Sequence, residues 1–202
     1  MKSAVALNIR RCCFPPHKPV RRMPPIPHAV LALYKAAEMA AKRFGSSIEA
    51  VFDPCGLILN SPPLQGYYWC TPDTAFTFAS TGGDGVHYSY LDLPNLNGES
   101  GPIVMTLPAN DQLNYVVAET LDEFLGLGFY AGWFALEQIA YDPDWALEHF
   151  SSPDDEGDET QQEQLKFLQD VLSIRHVPLD LERIDALTGK YADYLQVPLE
   201  PP

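Results

Sequence analysis

The sequence predicts a single-domain α+β protein in which helices flank a central antiparallel or mixed β-sheet. Three observations predict this fold class. A helical repeat of apolar residues covers 28–44, short β-type runs separated by turns extend from 48 to 117, and helical repeats return from 120 onward. Because the strands form one block and the helices form others, the order indicates α+β and not alternating β–α units. The 202 residues, 46% of them hydrophobic, suffice for one core.

The first predicted element is a helix from His28 to Phe44. Lys42 and Arg43 lie in its last turn, where positive charge interacts favourably with the helix dipole. Gly45 follows directly and is the residue type that most often ends a helix. The apolar side chains recur at helical spacing: Val30, Leu33, Tyr34, Ala37 and Ala41.

The next region predicts a series of strands joined by turns. The glycine-rich turn at 82–85 and the proline at position 108 are typical boundaries of such strands. No internal repeat is visible. Strands are predicted where β-branched and aromatic residues alternate or cluster: 57–59, 67–70, 75–78, 86–91, 103–107 and 115–117.

The remaining elements are predicted to be helical. Thr120 and Glu123 have the spacing of a capping box, which predicts a helix that begins after Thr120. Asp142 is expected to cap a short helix over 145–149. The predicted core extends over 29–150, followed by an acidic loop at 151–163 and a helical extension at 164–202 that packs on the core. Further helical stripes lie at 133–139, 165–172 and 181–191.

The first 28 residues are basic and rich in proline. Their apolar run, 4–9, is short for a signal peptide, and arginines follow it instead of preceding it. We expect either a disordered basic tail or sequence upstream of the true start, with Met23 as an alternative start. A functional basic arm is a third interpretation.

The four cysteines predict reduced thiols. Cys12 and Cys13 are adjacent and cannot form an ordinary disulfide, and no C-x-x-C motif occurs. Cys55 and Cys70 are expected to be buried free thiols, although a cross-strand disulfide is an alternative. Together with the missing secretory signal, this pattern predicts a cytoplasmic protein. No apolar run approaches the roughly 18 residues of a membrane span.

The distribution of charge is the strongest indication of partners. No Lys or Arg occurs between Arg43 and Lys166, a gap of 122 residues that carries 20 acidic residues. A head of about +8 therefore precedes a body of about −22 within the net charge of −14. Such a body repels nucleic acid and anionic membranes and attracts cationic partners. The absence of cations in the β-region also argues against kinases, nucleotidyl transferases and most nucleases.

The sequence predicts no catalytic site, no metal site and no cofactor. The motifs of the common hydrolases, phosphate-binding loops, dinucleotide-binding folds and zinc proteases do not occur. Asp84 and His87 in the loop 79–87 could be metal ligands or an acid/base pair. The alternative is a structural turn, favoured because residues three apart in an extended strand face opposite ways.

Several short motifs in the middle of the chain resemble one protein family. The turn Gly82-Gly83-Asp84 leads into an aromatic strand, Gly101–Met105 follows, and the strand 115–118 precedes the helix 119–128. This succession, over about 67–139, resembles the SUKH superfamily, which includes fungal cell-wall assembly regulators and bacterial proteins that neutralise polymorphic toxins. The family's usual opening, a Leu-Pro helix start and an Asn-Gly turn, is not evident before residue 60. The resemblance implies an α+β fold and non-catalytic binding of a toxin, often a basic nuclease or deaminase.

We therefore expect an immunity-type binding protein that neutralises a basic toxin domain by direct contact. Two alternatives stay open: a metal-dependent enzyme that uses Asp84 and His87, and a scaffold protein without a toxin partner. The contacts are expected on exposed strands and loops of the acidic body: Asp84, Tyr88, Tyr90, Asp92, Glu99 and Asp111.

Overall fold

A computed structural model of the protein describes residues 25–94, 96, 98–153 and 158–197. Most of the predicted N-terminal tail, including Cys12, Cys13 and Met23, lies outside the described residues, as does the acidic run 154–157. Helix α1 spans His28–Phe44, as predicted. Gly45 ends it in the left-handed conformation with φ 70°, and its N–H donates to the carbonyl of Ala41.

The sheet is a five-stranded antiparallel meander in the order β1-β2-β3-β4-β5. It confirms the predicted α+β class and decides for the antiparallel arrangement. β1 forms one edge, and its two prolines, Pro62 and Pro63, cannot donate ladder hydrogen bonds to another chain. The strands are β1 Ile58–Gln65, β2 Ala75–Ser80, β3 His87–Leu91, β4 Ile103–Thr106 and β5 Asn114–Ala118.

The strand predicted at 67–70 is wrong, because these residues form the loop between β1 and β2. The N–H of Tyr68 donates to Oγ1 of Thr71 at 2.9 Å, which is a turn contact and not a ladder bond. The loop folds over the sheet, and the ring of Tyr67 lies 5.1 Å from that of His87. Tyr67 and the buried Cys70 take part in this tertiary packing, whereas Tyr68 and Trp69 are 42% and 38% exposed.

The predicted caps, Thr120 and Asp142, precede helices α2 (Leu121–Leu127) and α3 (Pro143–His149). Oγ1 of Thr120 accepts from the N–H of Glu123 at 3.1 Å, which confirms the cap of α2. The stripe at 133–139 forms a 3₁₀ helix, Phe134–Ala140. α4 begins within the predicted loop 151–163, because Asp158 caps it by accepting from the N–H of Thr160. The helices are α2 Leu121–Leu127, α3 Pro143–His149, α4 Glu159–Leu172 and α5 Leu181–Lys190.

Both faces of the sheet are covered. The main core lies between one face and helices α1 and α2, while α5 packs against the other face at β5. Oγ1 of Thr188 accepts from the N–H of Val116 at 2.9 Å, and Leu187 joins the smaller apolar cluster on this side. Arg183 of α5 also pairs with Glu123 of α2 at 2.7 Å. In the described part of the chain, no helix has the length and apolarity of a membrane span.

Candidate functional site

A groove of about 650 Å³ lies between the 3₁₀ helix at 134–140, α3 and the start of α4. Its walls carry both aromatic and acidic side chains, and we refer to it as the acid–aromatic groove. Among the described residues that line it, none is a lysine or an arginine. The lining residues are Pro54, Ala131, Phe134, Ala135, Glu137, Gln138, Asp142, Trp145, His149 and Gln161.

Two glycines allow the backbone to present Phe134 at the groove. The N–H of Trp133 donates to the carbonyl of Cys55 at 2.7 Å, so the two segments touch backbone to backbone. Gly132 has φ +73°, and a Cβ there would lie 2.5 Å from the oxygen of Cys55. A Cβ on Gly56 would overlap the backbone nitrogen of Phe134. Only glycine fits both positions, and the close contact fixes where the 3₁₀ helix begins.

Trp133 and Phe134 are neighbours with opposite environments. The indole of Trp133 is 1% exposed, and its Nε1–H donates to the carbonyl of Phe124 at 2.9 Å. The hydroxyl of Tyr88 donates to the carbonyl of Trp133 at 2.6 Å. Trp133 therefore anchors this wall to the sheet, and the ring of Phe134 remains 56% exposed at the groove.

Helix α3 forms the opposite wall. Asp142 caps it by accepting from the N–H of Trp145 at 3.2 Å, as the sequence predicted. The Trp145 ring is 43% exposed and stacks on His149, with ring centres 4.4 Å apart and planes 15° apart. Ala146 is fully buried and attaches the helix to the core. The stacked pair presents a broad, flat aromatic surface beside the groove.

Glu137 is one of two acidic side chains among the described residues that line the groove. Burial raises the pKa of its carboxyl group, and the negative charge of Asp84 raises this pKa further. Asp84 belongs to the turn between β2 and β3, 53 positions earlier, and adopts a left-handed φ of 46°. The fold thus brings two carboxylates from distant segments near each other, and a cation at this position would relieve their repulsion.

Two of the six predicted contact residues are not on the surface. Tyr88 is 0% exposed and Tyr90 is 2% exposed, so the expectation that they are exposed contacts is wrong. β3 is the central strand, and all five of its residues are buried because both sheet faces are covered. Burial, followed by the charge of Asp92, raises the pKa of Tyr90 to about 12.

The other four predicted residues lie in three separate places. Asp84 is exposed close to the acid–aromatic groove. Asp92 and Glu99 line a second pocket of about 560 Å³ beside the start of α1. Asp111 is exposed between β4 and β5. Asp84 and Asp92 lie beyond opposite ends of β3, so these acids do not form one continuous site.

The ring of His87 is held by two hydrogen bonds within the protein. Its Nδ1 lies 2.7 Å from the carbonyl of Gly85, and because a carbonyl only accepts, Nδ1 carries the proton. Nε2 then accepts from the hydroxyl of Thr71 at 2.9 Å. Burial lowers the pKa of His87, which agrees with a neutral ring. Both ring nitrogens are occupied, and Asp84 and His87 belong to no metal-binding group of three or more His, Cys, Asp or Glu within the described residues.

The described cysteines, Cys55 and Cys70, are free and buried, which confirms the predicted thiols. Burial raises the pKa of Cys55 to about 12, so this thiol is a poor nucleophile. Its Sγ lies 3.7 Å from the backbone oxygen of Gln161 and from Oε1 of Gln164. Cys55 therefore helps to position α4 at the floor of the groove.

Sequence reasoning missed Phe134, Glu137 and Trp145 as site residues. The helical stripe of Trp133, Leu136 and Ile139 identifies the buried face of this segment. Phe134 and Glu137 lie outside the stripe, and this position could have identified them as surface residues. The exposure of Trp145 had no comparable signal, because large aromatic residues usually belong to the core.

Comparisons with protein families, with curated proteins and with solved structures gave no match to this chain. The resemblance to the SUKH superfamily therefore stays a prediction.

Proposed function

We propose that this protein is a non-catalytic binding protein that holds a basic protein partner at the acid–aromatic groove. The observation that supports this proposal is that the groove combines exposed aromatic rings with carboxylates, in a segment of the chain that lacks Lys and Arg. Exposed Phe134 and Trp145 stand beside Glu137 and Asp142. The residues 44–165 around them contain no lysine and no arginine.

This composition suits a protein interface. Aromatic side chains supply much of the binding energy at interfaces, and tryptophan is among the most frequent hot-spot residues. Two further exposed apolar side chains lie in the same segment: Tyr141, just before α3, is 52% exposed, and Leu147, on α3, is 36% exposed. The surrounding acids favour partners of opposite charge and accelerate their association, by roughly 10- to 1000-fold at low salt.

The partner class follows from the charge and from the resemblance to toxin-neutralising proteins. A nuclease or deaminase that approaches nucleic acid needs a basic surface, and an acidic protein can cover that surface. We propose that the partner is such a basic toxin domain and that neutralisation takes place in the cytoplasm. The bound protein would block access to nucleic acid by occupying the same cationic surface.

The proposal can be tested with the product of the gene adjacent to the one encoding this chain. Expression of that product alone should arrest growth, and co-expression of the full-length chain should restore it. Calorimetry between 50 and 300 mM NaCl should show an affinity that falls with salt, about tenfold or more over this range for several charge contacts. A toxic, basic product that is neither bound nor neutralised would contradict the proposal.

Groove variants locate the contact. Phe134→Ala and Trp145→Ala should each weaken the complex by roughly 10-fold or more, the loss typical of interface anchors. Leu64→Ala on β1 is the matched control, because Leu64 is 43% exposed but belongs to another part of the surface. Equal losses in all three variants, or in none, would place the partner at another surface and contradict the groove as its binding site.

A further inference from the structure

We infer that the acid–aromatic groove is a receptor for an arginine side chain of the partner, with Glu137 as its carboxylate and the rings of Phe134 and Trp145 as its walls. This inference rests on the proposed function and specifies the chemistry of the contact. It assigns the groove a ligand class, a guanidinium group, instead of a general attraction for positive charge.

The carboxyl group of Glu137, which lines the groove, favours a cationic ligand. Its side chain is partly buried, and no hydrogen-bond donor or cation among the described residues is paired with it. A carboxylate removed from water without a partner is unfavourable, so such groups are normally paired. The raised pKa of Glu137 has the same cause. Asp142 differs, because its carboxylate already accepts from the N–H of Trp145.

The combination of this carboxylate with aromatic walls favours a guanidinium group over other cations. A guanidinium group is planar and weakly hydrated, stacks on aromatic rings, and forms two parallel hydrogen bonds with one carboxylate. Trp145 and its stacked neighbour His149 offer a flat surface, and Phe134 offers a second ring. An ammonium group is compact and strongly hydrated, so lysine uses such walls less well.

The size of the groove also suits an arginine side chain. The groove volume of about 650 Å³ lies in the range of binding sites for small organic ligands. An extended arginine side chain with its flanking backbone fits within such a volume. Gln161 forms part of the floor and is held by donation from its Nε2 to the carbonyl of Ala131 at 2.9 Å. The walls and floor are thus held by internal contacts before a ligand arrives.

The test uses three peptides on the full-length chain: acetyl-Gly-Arg-Gly-amide, the lysine peptide and the citrulline peptide. Citrulline keeps the shape of arginine but lacks its charge. In a titration followed by nuclear magnetic resonance, the arginine peptide should shift the indole N–H signal of Trp145 with millimolar affinity, about 4 kcal/mol by the standard conversion. We expect the lysine peptide to bind at least about 3-fold more weakly and the citrulline peptide about 10-fold more weakly.

Two charge-removing variants distinguish binding in the groove from general attraction by the acidic surface. Glu137→Gln should weaken the arginine peptide by about 10-fold, as expected for loss of a charge-assisted pair. The control is Glu99→Gln, which removes the same charge at the second pocket and should leave the affinity within about 2-fold. The indole signal of Trp133, which is buried, reports that each variant is folded.

Equal affinity for the citrulline peptide, or an unchanged affinity of Glu137→Gln, would overturn the inference. The outcome is separable from that of the proposed function. A partner that binds with salt-dependent affinity while no arginine peptide binds would refute the inference alone. An arginine peptide that binds while the adjacent gene product is neither bound nor neutralised would refute the proposed function and leave the arginine site standing.

Discussion

The hydroxyl of Tyr88 donates a hydrogen bond of 2.6 Å to the backbone oxygen of Trp133. This contact joins the central strand of the sheet to the residue that precedes the 3₁₀ helix of the groove wall. The same oxygen accepts from the N–H of Leu136 at 3.2 Å, so it uses both lone pairs. The position of the wall is thereby tied to the most buried part of the molecule.

Replacing Tyr88 with phenylalanine should destabilise the protein without unfolding it. Loss of one buried hydrogen bond lowers the free energy of unfolding by about 1 kcal/mol, since Leu136 still satisfies the carbonyl in part. Urea denaturation followed by tryptophan fluorescence measures this difference. Tyr141→Phe is the control, because Tyr141 is 52% exposed and its hydroxyl can be replaced without burying an unpaired group. Equal stability of Tyr88→Phe and the unmodified protein would contradict the prediction.

Alanine at Gly132 should cost far more than alanine at Gly45. Both glycines have positive φ, +73° and +70°, so both variants incur the left-handed penalty of roughly 1–2 kcal/mol. Nothing lies within 4 Å of a Cβ on Gly45, whereas a Cβ on Gly132 meets the Cys55 oxygen at 2.5 Å. We expect Gly132→Ala to lose a further ~1–3 kcal/mol from the forced movement.

Thermal unfolding of the two glycine variants provides the measurement. The difference between them isolates the close contact, because the backbone penalty is common to both. If Gly45→Ala proved the more destabilised variant, the backbone contact between Gly132 and Cys55 would have no energetic importance.

Glu137→Gln should make the free protein more stable at neutral pH. In the folded state, burial and then Asp84 raise the pKa of Glu137 above its ordinary value of 4.5. The folded protein therefore holds this proton more tightly than the unfolded chain, and stability is lost as pH rises from 4.5 through the raised value. Within the described part of the chain, the other charged or titratable groups that line the groove are Asp142 and His149.

The stability gain of Glu137→Gln is measured as the difference between variant and unmodified protein from pH 4 to pH 8. We expect it to stay below about 1 kcal/mol, because Glu137 is only partly buried and solvent screens its charge. The difference should vanish at the acidic end, where both side chains are neutral. Glu99→Gln controls for the loss of one negative charge. A constant difference over the whole range would contradict the prediction.

His87 should remain neutral at a pH where an unfolded histidine is half protonated. Burial lowers its pKa below the ordinary value of 6.5, so the unfolded chain binds the proton more readily. The resulting stability is complete above pH 6.5 and is lost as pH falls from there through the lowered value. Nitrogen-15 nuclear magnetic resonance of the His87 ring should show the proton on Nδ1. A proton on Nε2, or a titration midpoint near that of the urea-unfolded chain, would contradict the prediction.

Local patterns predicted most elements. They succeeded where a structure depends on neighbouring residues and failed where it depends on contacts between distant segments. Thr120 and Asp142 were identified as caps because a cap involves residues two or three positions apart. The strand predicted at 67–70 was wrong because a distant contact determines the structure of this segment. Its aromatic residues satisfy the composition of a strand, but the loop packs on His87, which lies 17 or more positions later. Such packing leaves no local periodicity.

The amino-acid sequence was sufficient to establish the α+β class, helix α1, the strands β2 to β5 and the acidity of the body. These properties depend on composition or on neighbours within a few residues. The fold was needed to bury Tyr88 and Tyr90, to expose Phe134 beside the buried Trp133, and to bring Asp84 near Glu137. These relationships depend on sheet order and on contacts between distant segments, and such contacts follow from packing the whole chain at once.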